Sequence, residues 1–395
     1  MNDQFGEHQY GLNEQRQVIV SAAERICAKF PLEYWLERDR VGGFPEEFYA
    51  EVAKGGWLGI AMPEEYGGAG LGITEAALFL RTVAAGGGAM TAASSIHMNI
   101  FGLHPVVVFG TEAQKRRILP PFTRGEVKAC FAVTEPDAGL NTTKLKVKAV
   151  RDGDRYILSG KKVWISTAQV ADDMLILART TPIEQVKKPS DGLSLFYTKL
   201  DRTYVTVREI DKMGRKAVDS NELFIDDLPV PLEDRIGEEG KGLHYIFHGM
   251  NPERIFIGAE AVGIGQAALA RAVQYAKDRV VFDRPIGMNQ GIQHPLAQAW
   301  VDLEAANHMV MAAASLYDRG EPCGAEANAA KLLASQAAVR TCQIAMLTHG
   351  GYGYAKEYHV ERFMREALIP YIAPVSPQLI LSHIAERKLG LPKSY

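Results

Sequence analysis

Cysteine is scarce in this chain: Cys27, Cys130, Cys323 and Cys342 are the only four in 395 residues. They lie far apart, with no CxxC pair and no Cys/His cluster at ligand spacing, which argues against a disulfide framework and against zinc, and fits a reducing compartment. No charge dominates. Lys plus Arg (44) nearly balances Asp plus Glu (47), so no field gathers nucleic acid or an anionic membrane, and a small molecule is the expected partner. No run of about 18 apolar residues is evident, and Met1 to Gln17 is polar without an apolar leader core. The expectation is a soluble protein without membrane insertion, cytoplasmic, or in the mitochondrial matrix if eukaryotic and processed. P-loop, G-x-S-x-G and H-E-x-x-H motifs are missing too, which leaves hydrolase and NTPase readings without local support. Low-complexity tracts are also missing.

What is present is a chain large enough for more than one core, 47% hydrophobic and 23% charged. Its hydrophobic period changes twice. From about Asn13 to Arg124 it is helical, as in Glu46 to Leu58 and Thr74 to Ala85, with loops expected at Pro63 to Gly72 and at Gly86 to Gly88. From Ala129 to about Val230 it becomes two, with Asp152-Gly153 and Ser159-Gly160 reading as turns between short strands. After the Gly237 to Gly242 loop, long alanine-rich helical segments return at Arg254 to Val280, Gln293 to Tyr317 and Ala325 to Met346. The expected architecture is a multidomain α+β fold: an N-terminal helical domain (1–128), a central antiparallel β-barrel-like domain (129–240) and a C-terminal four-helix bundle (241–395). An α, β, α order does not fit a nicotinamide dinucleotide fold. The one formal G-x-G-x-x-A match, Gly263 to Ala268, sits in a helical pattern and reads as close helix packing.

The most specific stretch is Cys130-Phe131-Ala132-Val133-Thr134-Glu135-Pro136-Asp137-Ala138-Gly139, followed by Lys162-Val163-Trp164-Ile165-Ser166. Here the chain resembles the acyl-CoA dehydrogenase family, and the likeness extends to Pro63 to Gly68, Gly110 to Lys115, Arg279-x-x-Phe282 and Gly350-Gly351-x-Gly353. A flavin needs a flat apolar wall and hydrogen-bond partners along its polar edge, which a strand pair can supply. The resemblance implies FAD bound by Phe131, Val133, Thr134, Gly139, Trp164, Ile165 and Ser166. Where family members carry Ser/Thr-Asp after Ala-Gly, this chain has Leu140 and Asn141, which leaves Leu140 as a substrate-side residue without that hydroxyl.

The base is the second departure. Many family members place the proton-abstracting glutamate in a loop near the C-terminus, a position that falls here on Pro374, which cannot take a proton and has no N–H to offer a thioester carbonyl. Another branch, including the isovaleryl-CoA and long-chain enzymes, carries it on a helix before an arginine, and this chain has Met250-Asn251-Pro252-Glu253-Arg254. By that resemblance Glu253 is the base, with Asn251 and Arg254 at the substrate. The alternative is a helix start: Asn251 as N-cap, Pro252 at N1 and Glu253 favoured by the helix dipole alone. A base for a weakly acidic C–H should be held dry, with its pKa raised toward the working pH.

The resemblance further implies that Arg279, Phe282 and Gln290 reach the FAD of a neighbouring subunit. Gly350 and Gly351 would allow close backbone approach, and Ser376 and Gln378 would meet the adenosine side. His349 reads as a packing residue. The implied enzyme is a homo-oligomer, a dimer of dimers, that desaturates an acyl-CoA and passes electrons to an electron-transferring flavoprotein. An acyl-CoA oxidase, an enoyl-CoA reductase and a non-catalytic acyl-CoA binder share the fold and stay open.

Overall fold

The computed structural model describes residues 13–394. The N-terminal part is helical: α1 (Glu14–Cys27), α2 (Leu32–Val41), α3 (Glu46–Lys54), α4 (Ile73–Val83), α5 (Ala89–His97), α6 (His104–Phe109) and α7 (Glu112–Thr123). Helix α7 starts at a capping box in which Thr111 Oγ1 accepts from Gln114 N–H (3.2 Å) and Gln114 Oε1 accepts from Thr111 N–H (2.8 Å). The Gly86 to Gly88 run is not a loop. It is part of a π-helical turn that kinks between α4 and α5, because Gly87, at φ +98°, leaves the helical conformation there.

The middle of the chain forms β1 (Ala129–Ala132), β2 (Lys148–Asp152), β3 (Arg155–Ser166), β4 (Asp173–Arg179), β5 (Leu193–Lys199), β6 (Val205–Glu209), β7 (Ser220–Pro231) and β8 (Arg235–Ile236). They make one sheet in the order β6-β7-β3-β2-β4-β5-β8, with β1 added on β4. Two expectations need correction. The sheet is not closed into a barrel, and it is mixed, because β1 and β2 both run parallel to β4. Ser159-Gly160 is not a turn either. Strand β3 runs through it, and the β3/β7 register slips between Leu158 and Gly160, a bulge that glycine accommodates at φ +143°.

The C-terminal part holds α8 (Gly242–His248), α9 (Met250–Asp278), a hairpin of β9 (Val280–Val281) and β10 (Arg284–Pro285), then α10 (Gln290–Asp318), α11 (Gly324–His349), α12 (Val360–Ile372) and α13 (Pro377–Arg387). Helices α9 to α12 pack as a bundle, but not on their own: α4 lies against α9 and α10, and the buried residues of both helical regions form one continuous core. Gly263 and Gly265 explain the fit. A Cβ on Gly263 would stand 2.2 Å from the Arg81 carbonyl oxygen of α4, and one on Gly265 2.4 Å from Leu303 of α10. The glycines that mimic a dinucleotide motif therefore bring helices into contact.

Among the described residues, three helical stretches are, contrary to the sequence expectation, long and apolar enough to cross a membrane by length and composition: Ile73–Phe109, Met250–Asp278 and Val360–Arg387. The second buries 83% of its apolar window inside the fold, the first 61%. The third, 22% buried, is two helices interrupted between Ile372 and Pro377.

Candidate active site

Helix α9 begins one residue after α8 ends, with Gly249 between them. Asn251 is therefore inside the helix and does not cap it; its Oδ1 accepts from Arg254 Nη1 at 3.1 Å. This removes the expected N-cap reading of the Asn251-Pro252-Glu253 run. Glu253 is 29% exposed and its Oε2 lies 2.7 Å from Nε2 of His97, the last residue of α5. His97 Nδ1 lies 2.7 Å from Oε1 of Glu260, a fully buried carboxylate two turns further along α9. Burial favours the neutral form of Glu253, but the charge and hydrogen bond of His97, and the nearby Arg254, outweigh it and hold the carboxyl below its usual value. The expected upward shift is thus reversed in the resting protein, because the neighbour is a charged imidazole and not an apolar wall.

Pro374 lies in the linker between α12 and α13. Val375 beside it is buried with Leu332 and Ile380, and its carbonyl accepts from Lys331 Nζ at 2.7 Å. Met250, one turn before Glu253, packs on this cluster. The two places where a base is expected, the α9 start and the 374 loop, therefore border the same region.

The predicted flavin wall lies on β1, β3 and the segment between them. Val163 N–H donates to the Thr134 carbonyl (3.0 Å), which sets Thr134 beside Trp164. Trp164 is at φ +60°, where the β3/β7 register slips a second time. A bulky residue in the left-handed region costs about 1–3 kcal/mol and persists only when its surroundings impose it. The effect here is to turn the indole outward: Trp164 is 58% exposed between the buried Lys162 and Ile165. Phe131 is 38% exposed between buried Cys130 and Ala132. Val133 is buried, while Gly139 and Leu140 lie on the exposed loop after the Thr-Glu-Pro turn. Two uncovered aromatic rings on neighbouring segments fit a flat cofactor such as an isoalloxazine. Ser166 Oγ accepts from Arg215 Nη2 at 3.1 Å, and Arg215 Nη1 donates to Ser94 Oγ of α5 at 3.0 Å.

Glu135 and Lys162, in the same motifs, have a structural task. Lys162 Nζ, fully buried, donates to Glu135 Oε1 (2.9 Å), the Val133 carbonyl (2.9 Å) and the Leu177 carbonyl (2.7 Å). Glu135 also accepts from the N–H groups of Lys146 (2.6 Å) and Val147 (3.0 Å).

The remaining predicted residues gather elsewhere. Arg279, Gly350 and Gly351 line one cleft of about 620 Å³ with Tyr275 and His349. The Arg279 guanidinium stands 5.6 Å from the centre of the Tyr352 ring, and His349 stacks on Tyr275 at 4.2 Å. Phe282, at the hairpin tip, is 93% exposed, and Gln290 is exposed at the start of α10. Ser376 caps α13 by accepting from Leu379 N–H (3.3 Å), and Gln378 is exposed beside it. Glu253 and Arg279 stand at opposite ends of α9, about 39 Å apart at 1.5 Å per residue. One subunit cannot bring them to the same reacting centre.

His97, Glu260 and Arg215 were missed by sequence reasoning. Glu260, a lone acidic residue in the apolar run Ile255 to Ile264, was the available signal, and its seven-residue spacing from Glu253 puts both on one helix face.

Exposed aromatic rings on the sheet and a partly buried carboxylate on a helix that flanks it are features a flavin-dependent oxidoreductase requires. The models for the acyl-CoA dehydrogenase N-terminal, middle and C-terminal domains match residues 13–126, 130–228 and 240–389. The chain is 38% identical over 388 residues to acyl-CoA dehydrogenase FadE12 of Mycobacterium tuberculosis, covering 97% of this chain and 98% of that one. Its structure is similar to butyryl-CoA dehydrogenase from Megasphaera elsdenii (TM-score 0.91, 31% identity, 97% of this chain and 100% of that). It is also similar to an FAD complex of PigA (TM-score 0.90, 26% identity, 97% and 100%). The chain belongs to the acyl-CoA dehydrogenase family and is an FAD-dependent acyl-CoA dehydrogenase.

Proposed function

We propose that the enzyme desaturates an acyl-CoA to the trans-2-enoyl-CoA with Glu253 as the base. The observation that carries this reading is the pairing of a mostly buried carboxylate at the start of α9 with a proline at the alternative position, both bordering one apolar cluster. Glu253 takes the proton from Cα onto a carboxylate oxygen. FAD, when bound, accepts the hydride that leaves Cβ. Phe131, Val133, Thr134 and Trp164 would hold it, with Ile165 packed behind them, and Ser166 would supply a hydrogen bond to it. Gly139, Leu140, Asn251 and Arg254 border the thioester and acyl chain.

The 39 Å along α9 supports a second subunit: Arg279, Phe282, Gln290, Gly350, Gly351, Ser376 and Gln378 serve FAD bound mainly to a neighbour. An exposed apolar surface at that end of the bundle, including Val280, Phe282, Leu347 and Tyr354, supports the same assembly. A dimer of dimers, an electron-transferring flavoprotein as acceptor and a cytoplasmic location, or the mitochondrial matrix in a eukaryote, complete the reading.

The test is anaerobic flavin bleaching by butyryl-, isovaleryl-, octanoyl- and palmitoyl-CoA. At least one should bleach the wild type, and Glu253→Gln, with flavin still bound, should slow that step by about 10²- to 10⁴-fold. Rapid bleaching by Glu253→Gln refutes the assignment. Stoichiometric oxygen consumption in air would point instead to an oxidase.

A further inference from the structure

His97 lies across the face that Glu253 and Glu260 share, hydrogen-bonded to one at each ring nitrogen, both at 2.7 Å. Side-chain exposure falls along the row, from 29% at Glu253 to 15% at His97 and 0% at Glu260. A neutral imidazole carries one N–H, whereas the imidazolium donates from both ring nitrogens and so meets a carboxyl oxygen at each. Burial works against that charge, but Glu253 and Glu260 together outweigh it and raise His97 well above its ordinary value.

Helix α5 is held in register for this contact. Fully buried Glu366 of α12 accepts from Thr91 N–H (2.8 Å) and Thr91 Oγ1 (2.7 Å). Ser94, one turn before His97, takes the bond from Arg215 that also reaches Ser166 on the flavin strand. The charged groups around the row are few. Arg254 acts on Glu253, and Arg215 acts on Glu260 while also facing Glu366 and Asp219. From α4, Arg81 is turned to Asn307, and the buried side chains of α3 are Phe48, Tyr49 and Val52.

We propose that His97 is a positioning residue for the base: bonded at both nitrogens, it fixes the Glu253 carboxylate and couples the charge on buried Glu260 to the basicity of Glu253. The proposal rests on Glu253 being the base. During turnover the α-proton goes to a Glu253 oxygen while His97 keeps both its protons; the electron pair of the Cβ–H bond is what bound FAD would take. Glu260 touches no substrate, yet its charge keeps His97 cationic and so sets how low in pH Glu253 stays ionised.

The test measures the second-order rate constant of anaerobic flavin bleaching against pH, using whichever of the four acyl-CoAs bleaches the wild type fastest. That profile reports ionisations of the free enzyme. His97→Gln removes the cation beside Glu253. Glu260→Gln keeps His97 but withdraws the charge that holds it protonated. Each should move the acid limb upward by about one pH unit or more, the size expected for losing an opposite charge at hydrogen-bond range. A merely structural role would lower flavin content or rate at every pH without moving the limb. Acid limbs at the wild-type pH in both variants, with Glu253→Gln slow throughout, overturn the role of His97 alone. A limb that moves in His97→Gln but not in Glu260→Gln overturns the coupling. Full-speed bleaching by Glu253→Gln removes the base and the proposal together.

Discussion

Lys162→Met isolates the contribution of the buried pair that Lys162 makes with Glu135 beneath the proposed flavin wall. In the native protein all three ammonium protons of Lys162 are placed, on Glu135, on the Val133 carbonyl and on the Leu177 carbonyl. Methionine fills similar space but leaves both carbonyls short of a donor and the Glu135 carboxylate buried without its cation. Breaking a buried pair from one side costs about 3–5 kcal/mol. The two amide bonds that Glu135 retains from Lys146 and Val147 put the expectation at the low end, about 3 kcal/mol. With about 2.1 cal/mol/K per residue of unfolding entropy, a 395-residue cooperative unit has about 0.8 kcal/mol/K, so Tm should fall by about 4 °C. The assay is thermal unfolding of the FAD-loaded protein followed by far-UV circular dichroism, with flavin release recorded in parallel. Adding Glu135→Gln should recover part of the loss, since the second change removes the stranded charge. Burial also pushes the Lys162 pKa down to about 8, despite Glu135. The unfolded chain, with lysine near its ordinary 10.4, binds more protons between those values, so this group adds stability as pH rises from about 8 to about 10.4. The gap between wild type and Lys162→Met should therefore widen over that window. A Tm within 1 °C of wild type, or a double variant that loses the full sum of both single losses, would refute the reasoning.

On the proposed reading that the guanidinium serves a cofactor bound across a subunit interface, Arg279→Ala should weaken FAD retention and make it depend on protein concentration; gel filtration over a dilution series with flavin absorbance checks this, and occupancy unchanged on dilution contradicts it. Gly263→Val should lower stability by about 1–3 kcal/mol, since even its Cβ would meet the Arg81 carbonyl at 2.2 Å and push α4 from α9, and an unshifted melting curve would show that the helices yield without cost.

Much of the fold was legible because local rules and tertiary packing agree. The switch from period 3.6 to 2 and back marks the helical and β regions, and Gly263 and Gly265 were already readable as contact points. Many of the motifs that carry the family likeness prove to be fold-determining. The Gly110 to Lys115 segment is a capping box whose Gln114 also donates to the Glu233 and Arg235 carbonyls (2.7 and 2.8 Å), tying α7 to the β region. In the Pro63 to Gly68 turn, buried Tyr66 reaches Glu112 at 3.0 Å, and a Cβ on Gly68 would meet the Met62 carbonyl at 2.1 Å. The glutamate of Thr134-Glu135-Pro136 anchors two backbone amides. Such residues are recognisable in one dimension because a local backbone geometry, a cap or a turn, shows in the motif, even where their longer-range partners, such as Glu233 for Gln114, do not.

What the sequence by itself determined is therefore the order of helical and β regions, the helix-packing glycines, the aromatic candidates for the cofactor wall and Glu253 as the carboxylate at the α9 position. Only the tertiary structure decided that Asn251 lies within a helix, that the sheet stays open and mixed, and that Trp164 turns outward on a bulge. It alone showed that Glu253 meets His97 from a helix 156 residues away, with Glu260 behind. The physical reason is range. Periodicity and capping act over a few residues, whereas the protonation state of a carboxylate depends on which charges the whole fold brings within hydrogen-bond distance.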